Sequence, residues 1–292
     1  MDRPALLIAN PHARRGREVE PFVAALEAGG ITLLRRDCRR REDLSATIRE
    51  VRNQVGAVIL GGGDGTLSAA APALRDTGLP LGILPLGTAN DLARTLEIPE
   101  DAEAAAAVIL AGHERRVDLG CVNGHPFFNV ASIGLSVSIT QRLNKVMKRR
   151  WGKLAYPIAA AAVLLSARRF TGTLRLDGVD VRVKSMQVAV GNGRFYGGGM
   201  VVEEEAQIDD AMLNVYSLEP RTIWSLLLMA RAFRAGEHEQ LDEVRNLRAR
   251  QVELHTRRRR HVSADGEIIT VTPARFTVLP GAVRVFTPAP AA

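Results

Sequence analysis

"VILGGGDGTLSAA", residues 58–70, sets four glycines, an aspartate and a threonine directly behind a short apolar run. "GAVILGG" reads as a buried strand, and "LSAAAPALRDTG" behind it as a helix closed by glycine. Gly61, Gly62, Gly63 and Gly65 around Asp64 are more glycine than a strand-to-helix turn requires. Backbone N–H groups there can approach an anion with no Cβ in the way, and the following helix N-terminus favours phosphate. The stretch therefore reads as a phosphate cradle at a strand's carboxyl end, where open α/β sheets bind ligands, with the Thr66 hydroxyl bonding the ligand or capping the helix. It is not a P-loop, because no Gly-Lys-Ser/Thr follows and no lysine occurs before residue 116. A nucleotide here would be held by backbone amides, arginines and metal.

Outward from the glycines, strand and helix patterns alternate. "ALLIANP", "ITLLRR" and "LPLGILPLG" read as strands; "EVEPFVAALEAG", "REDLSATIREVRNQ", "NDLARTLEI" and "DAEAAAAVILAG" read as helices. That alternation predicts a parallel sheet covered by helices. Beyond about residue 112 short alternating strands take over, separated by Asn123-Gly124, Asp177-Gly178 and Asp265-Gly266, with helical stretches at about 139–168 and 220–236. "ARFTVLPGAVRVFTP" reads as two strands around Pro280-Gly281. The expected architecture is two domains: an α/β nucleotide-binding unit at 1–115 and a β-rich sandwich with inserted helices at 116–292. The final strand is a candidate to return to the first domain.

The chain's 292 residues suit two such domains, and 46% hydrophobic with 24% charged residues is the balance of a soluble globular protein. Cys38 and Cys121 lack metal or disulfide spacing, which suggests a reduced, cytoplasmic setting. "MDRPALLIAN" lacks the pattern of a signal peptide, and "LAYPIAAAAVLLSA" is too short and interrupted to span a bilayer. The net charge of +7 concentrates in "KVMKRR" (145–150) and "RRRRH" (257–261), which favours an anionic membrane face or phosphorylated ligands when it is not simply a solvated face. No nucleic-acid-binding motif accompanies the charge, so nucleic acid is not the expected partner. A homodimer stays open.

A second strand end, "ILPLGTANDLAR", repeats the glycine-threonine turn at Gly87 and Thr88, with Asn90 or Asp91 as the helix N-cap. The two loops look like two walls of one nucleotide pocket. With "NPHARRG", "VGNGRFYGGGM", "AQIDDAML" and "DGE" following in order, the chain resembles, over nearly its whole length, the YegS-like bacterial lipid kinases of the diacylglycerol-kinase family. "GGDGT" alone is shared with NAD kinases; the full series is much more specific.

The resemblance implies ATP between two domains and a lipid hydroxyl as phosphoryl acceptor at a membrane surface. It implies nucleotide contacts from Gly62 and Gly63 through Asp64, Gly65, Thr66, Leu67 and Ser68 to Ala69, and from Thr88. Relatives commonly carry threonine where this chain has Asp37, an acid that would repel phosphate and meet a ribose or adenine edge, or no part of the nucleotide. Asp265 and Glu267, two residues apart, would share one face of an extended strand. Spacing alone favours a plain Asp-Gly turn there; the resemblance favours Glu267 as general base, with Asp265 or Asp64 as alternatives. It also implies a Mg²⁺ held by the Asp210 carboxylate and the backbone carbonyls of Gln207 and Met212. Glycine is usual in relatives at Ala211, and a positive φ would strain alanine there. "FYGGGM" reads as a lip over an apolar groove or a plain loop, and "WSLLLMARAFRAG" as core packing before any interfacial role. Two other readings remain: an NAD-kinase-like nucleotide kinase, and a non-catalytic nucleotide- or lipid-binding module.

Overall fold

A computed structural model describes residues 3–9, 15–38, 40–142, 169–193, 195–196, 200–201, 207–219 and 244–290. The basic cluster at 145–150, the glycines of "FYGGGM" and the helical stretch at 220–236 lie outside them, as does most of the stretch at 139–168.

The first unit alternates as its sequence predicts: β1 (Ala5–Ala9), α1 (Val19–Ala28), β2 (Leu33–Arg35), α2 (Leu44–Val51), β3 (Ala57–Gly62), α3 (Asp64–Thr77), β4 (Leu81–Pro85), α4 (Asp91–Thr95) and α5 (Ala102–Ala111). β3 and β4 are buried at every residue, which is why they read as unbroken apolar runs: helices cover the parallel sheet on both faces. α2 buries Leu44, Ile48 and Val51, one helical face, against that sheet's core. Asp101 caps α5 by accepting the Ala104 N–H at 2.9 Å, and Gly112 ends it in the left-handed region at φ 70°.

The second unit is β-rich: β5 (Glu114–Val122), β6 (His125–Phe127), β7 (Val130–Gly134), α6 (Leu135–Arg142), β8 (Phe170–Leu176), β9 (Val179–Ser185), β10 (Gln187–Gly191), β11 (Phe195–Tyr196), β12 (Met200–Val201), β13 (Leu213–Leu218), β14 (Val244–Ala249), β15 (Gln251–Thr256), β16 (His261–Ala264), β17 (Glu267–Val271) and β18 (Ala274–Phe286). One sheet runs β2-β1-β3-β4-β18-β15-β8-β9, with β5 and β6 attached through β18; a second runs β14-β13-β10-β7-β16-β17. A separate apolar core, including Phe127, Phe276, Val188 and Val215, fills the space between these sheets.

β18 ties the units together. Its end pairs in parallel with β4 (Val285 opposite Leu81), while its length pairs antiparallel with β5 and its start with β15. The sequence expectation of two strands around Pro280-Gly281 is corrected here. A register break between Leu279 and Val283 absorbs the turn-like dipeptide, Gly281 takes φ 56°, and its N–H donates to Asp118 Oδ1 at 2.7 Å. A bulge, not a hairpin, is what the proline and glycine make.

Candidate active site

The glycine cradle opens α3. Gly63 occupies the N-cap position with φ −104° and ψ −176°, and no side chain caps the helix, so Thr66 is not a cap. Gly63 is extended, and close approach explains its glycine. A Cβ on Gly63 would stand 2.9 Å from the Gly87 Cα, and one on Gly87 2.6 Å from the Gly63 Cα. The two glycine-threonine loops therefore abut, backbone against backbone. A Cβ on Gly62 would meet the Thr66 side chain at 2.6 Å. Asn90 enters α4 at φ 51° and does not cap it; its side chain accepts the Gly87 N–H at 2.9 Å and closes the loop on itself.

The remaining nucleotide candidates separate by burial. Leu67 is 2% exposed within the core, so only its backbone can face a ligand. Ala69 gives its carbonyl to the Ser45 hydroxyl at 2.8 Å, Thr88 is exposed beside Gly87, and Asp37 is exposed beyond the end of β2.

Three carboxylates reach this place by different routes. Asp64 Oδ1 accepts the Leu92 N–H of α4 at 3.1 Å and the Asn129 side-chain amide at 3.3 Å. Asn129, 4% exposed, lies between β6 and β7 and connects the two units. Asp265 takes φ 44° in the turn before β17; its carboxylate accepts the N–H groups of Phe128, Asn129 and Val130 at 2.9, 3.0 and 3.1 Å, and the Ser68 hydroxyl of α3. Burial pushes its carboxyl above the ordinary carboxylate range, against the pull of those four donors. Glu267 starts β17 with a side chain 64% exposed, 3.0 Å from Arg41 Nη1. The expectation that Asp265 and Glu267 share a strand face is thus corrected: the left-handed turn turns one inward and leaves the other outside.

Sequence reasoning missed Asn129, Asn192 and Arg41. Asn192, within the "VGNG" already noted, donates to the Asp118 and Phe128 carbonyls at 2.9 and 3.0 Å, and its backbone N–H to the Asn129 carbonyl at 2.8 Å. Arg41 lies over the first turn of α3, its Nη1 2.7 Å from where a Gly65 Cβ would be.

The acidic turn at 207–212 is a different environment. Asp210 Oδ1 accepts the Met212 N–H at 2.9 Å, and Oδ2 accepts Arg248 Nη2 at 2.6 Å. Ala211 adopts φ 56°, the strained conformation its side chain opposes, and its N–H donates to Asp118 Oδ2 at 2.7 Å. Asp209 forms a two-point ion pair with Arg115, at 2.7 and 2.8 Å. A divalent cation on Asp210 would sit against a guanidinium that already supplies the positive charge. The set Gln207, Asp210 and Met212 does not fit the Mg²⁺ that the resemblance implied. Among the described residues no cluster of three or more His, Cys, Asp and Glu side chains could hold a metal ion.

Comparisons with known proteins match both units. Residues 4–122 match the diacylglycerol kinase catalytic domain, and residues 129–287 match the YegS C-terminal NAD kinase beta sandwich-like domain. A diacylglycerol kinase of Mycobacterium tuberculosis (strain CDC 1551 / Oshkosh) is 34% identical over 80% of this chain and 77% of its own length. A "Probable lipid kinase YegS-like" of Pseudomonas aeruginosa (strain UCBPP-PA14) is 32% identical over 99% and 96%. A Bacillus anthracis str. Sterne crystal structure superposes with a TM-score of 0.84 at 25% identity, covering 99% of this chain and 97% of that one. With both domains matched, this chain belongs to the YegS-like lipid kinases of the diacylglycerol kinase family.

Proposed function

We propose that the chain transfers the γ-phosphoryl group of ATP to the hydroxyl of a diacylglycerol-like lipid in the cleft between its two units. The observation that carries this is Asp64. It heads α3 between two abutting glycine loops and is bonded to Asn129, whose backbone N–H is bonded to Asp265. Phosphoryl transfer asks mainly for positioned phosphate and a carboxylate near the attacking hydroxyl. Here the N–H groups opening α3 and the helix dipole hold the phosphates. The acceptor oxygen forms a bond to the γ-phosphorus as the bond to ADP breaks, and the hydroxyl proton passes to Asp64. Magnesium carried by the nucleotide would supply neutralisation of phosphate charge.

We assign the base to Asp64 rather than Glu267 on their surroundings. Among the described residues Asp64 is partly buried and bonded to neutral donors, whereas Glu267 is exposed and neutralised by Arg41. Asp265, surrounded by four donors, orients the 128–130 segment. The lipid is met at an anionic membrane surface, to which exposed Arg257, Arg258 and Arg259 add attraction. Arg260 is spent differently, stacked 4.4 Å over the Phe170 ring. Among the described residues no helix is long and apolar enough to cross a membrane.

The test is incubation with γ-labelled ATP and vesicles of total lipid extract, with NAD and no-acceptor controls. Label should enter the lipid fraction, more on anionic vesicles and less as salt rises. Label in phosphorylated NAD, or ATP turnover indifferent to lipid, overturns the reading.

A further inference from the structure

We propose that Arg41 clamps the nucleotide phosphates and that Glu267 holds it in place until the nucleotide arrives; this rests on the function proposed above. A lysine commonly meets the phosphates in nucleotide cradles, and this chain has none before residue 116. Arg41 lies across the first turn of α3 over Gly65, where the absent Cβ leaves it room. A guanidinium there adds a full charge and a planar donor fork to the helix's backbone N–H groups, the geometry that suits phosphate oxygens.

Glu267 is the partner that keeps it there. The pair joins residues 226 apart in sequence, at 3.0 Å, with both side chains more than 60% exposed. An exposed carboxylate–guanidinium pair is weak, so incoming phosphate can displace Glu267 at little cost. The carboxylate then becomes a competitor for Arg41. This predicts opposite signs for the two partners, which neither a shared structural role nor a general-base role for Glu267 produces.

Isothermal titration with a non-hydrolysable ATP analogue, and separately with adenosine, tests it on Arg41→Ala, Arg41→Lys and Glu267→Gln. Arg41→Ala should weaken the analogue about tenfold or more, the range of a charge-assisted hydrogen bond, and leave adenosine unchanged. Arg41→Lys should recover part of the loss. Glu267→Gln should tighten the analogue severalfold. Wild-type-like analogue affinity in Arg41→Ala, or weakened affinity in Glu267→Gln, overturns the inference while leaving the kinase reading intact. A wild-type protein that ignores the analogue altogether removes both.

Discussion

Asp64 heads α3 and Asp210 lies in the acidic turn at 207–212, and their surroundings separate them. Asp64 is bonded to a backbone N–H and a side-chain amide, both neutral, and keeps its charge available beside the glycine loops. Asp210 is bonded to a backbone N–H and to Arg248 at 2.6 Å, and its charge is already compensated. The difference lies in who neutralises the acid. A carboxylate bonded to neutral groups at the head of a phosphate cradle can take a proton or face a metal-bound nucleotide; one closed by arginine can only hold its turn.

Asp64→Asn should break that comparison most visibly. The amide oxygen of the substituted side chain can still accept from Leu92 and Asn129, so the fold should survive. Loss of the proton acceptor should lower kcat by about 10²–10⁴-fold, the usual worth of general-base assistance. Steady-state kinetics beside a melting curve check it. A variant turning over like wild type would leave Asp64 no more functional than Asp210.

Asp265 sharpens the comparison from the other side, as an acid whose carboxylate is enclosed by neutral donors, yet structural. Asp265→Asn places an amide among the three N–H groups and the hydroxyl that now donate to a carboxylate. Stranding one buried donor costs roughly 1–3 kcal/mol. Sign matters for pH. Burial holds the folded carboxyl above its unfolded value of about 3.9, so across that interval the native state keeps a proton the unfolded chain has lost. Wild-type stability should then fall as pH rises from that value through the folded pKa. Asp265→Asn should flatten this part of the curve while lying below it. Urea melts from about pH 4 upward read both effects, and an unchanged slope in the variant assigns the pH dependence elsewhere.

The sequence made the first unit legible because its signals are local. Parallel strands buried on both faces are continuous apolar runs, and "GGGDGT" announces a cradle in six residues. What it hid depends on distance along the chain. Asn129 meets Asp64 across 65 residues and Arg41 meets Glu267 across 226, and neither leaves a spacing to read. Pro280-Gly281 looked like a hairpin because a bulge uses the same residues, and only the pairing of β18 with both β4 and β5 decides between them. Asp265 and Glu267 were placed on one face by counting in twos, but the positive φ of Asp265 breaks the count.

The smallest effect tests the Asp210 half of the comparison. If Arg248 stands where relatives would need a cation, the nucleotide-free wild-type protein should melt at the same temperature in Mg²⁺ and in EDTA. The Asp210 side chain is 17% exposed and Arg248 46%, so solvent screens their pair, and Arg248→Ala should cost only about 1 kcal/mol, a melting shift of roughly 2–4 °C. The same variant frees Asp210 Oδ2, and if the turn can hold the cation that the resemblance implied it should gain a stabilisation by millimolar Mg²⁺ that wild type lacks. Asp210→Asn in the Arg248→Ala background should remove that gain. A wild-type melting temperature that climbs and saturates with Mg²⁺, and ceases to do so in Asp210→Asn, would mean that the ion displaces Arg248 and that both aspartates carry function.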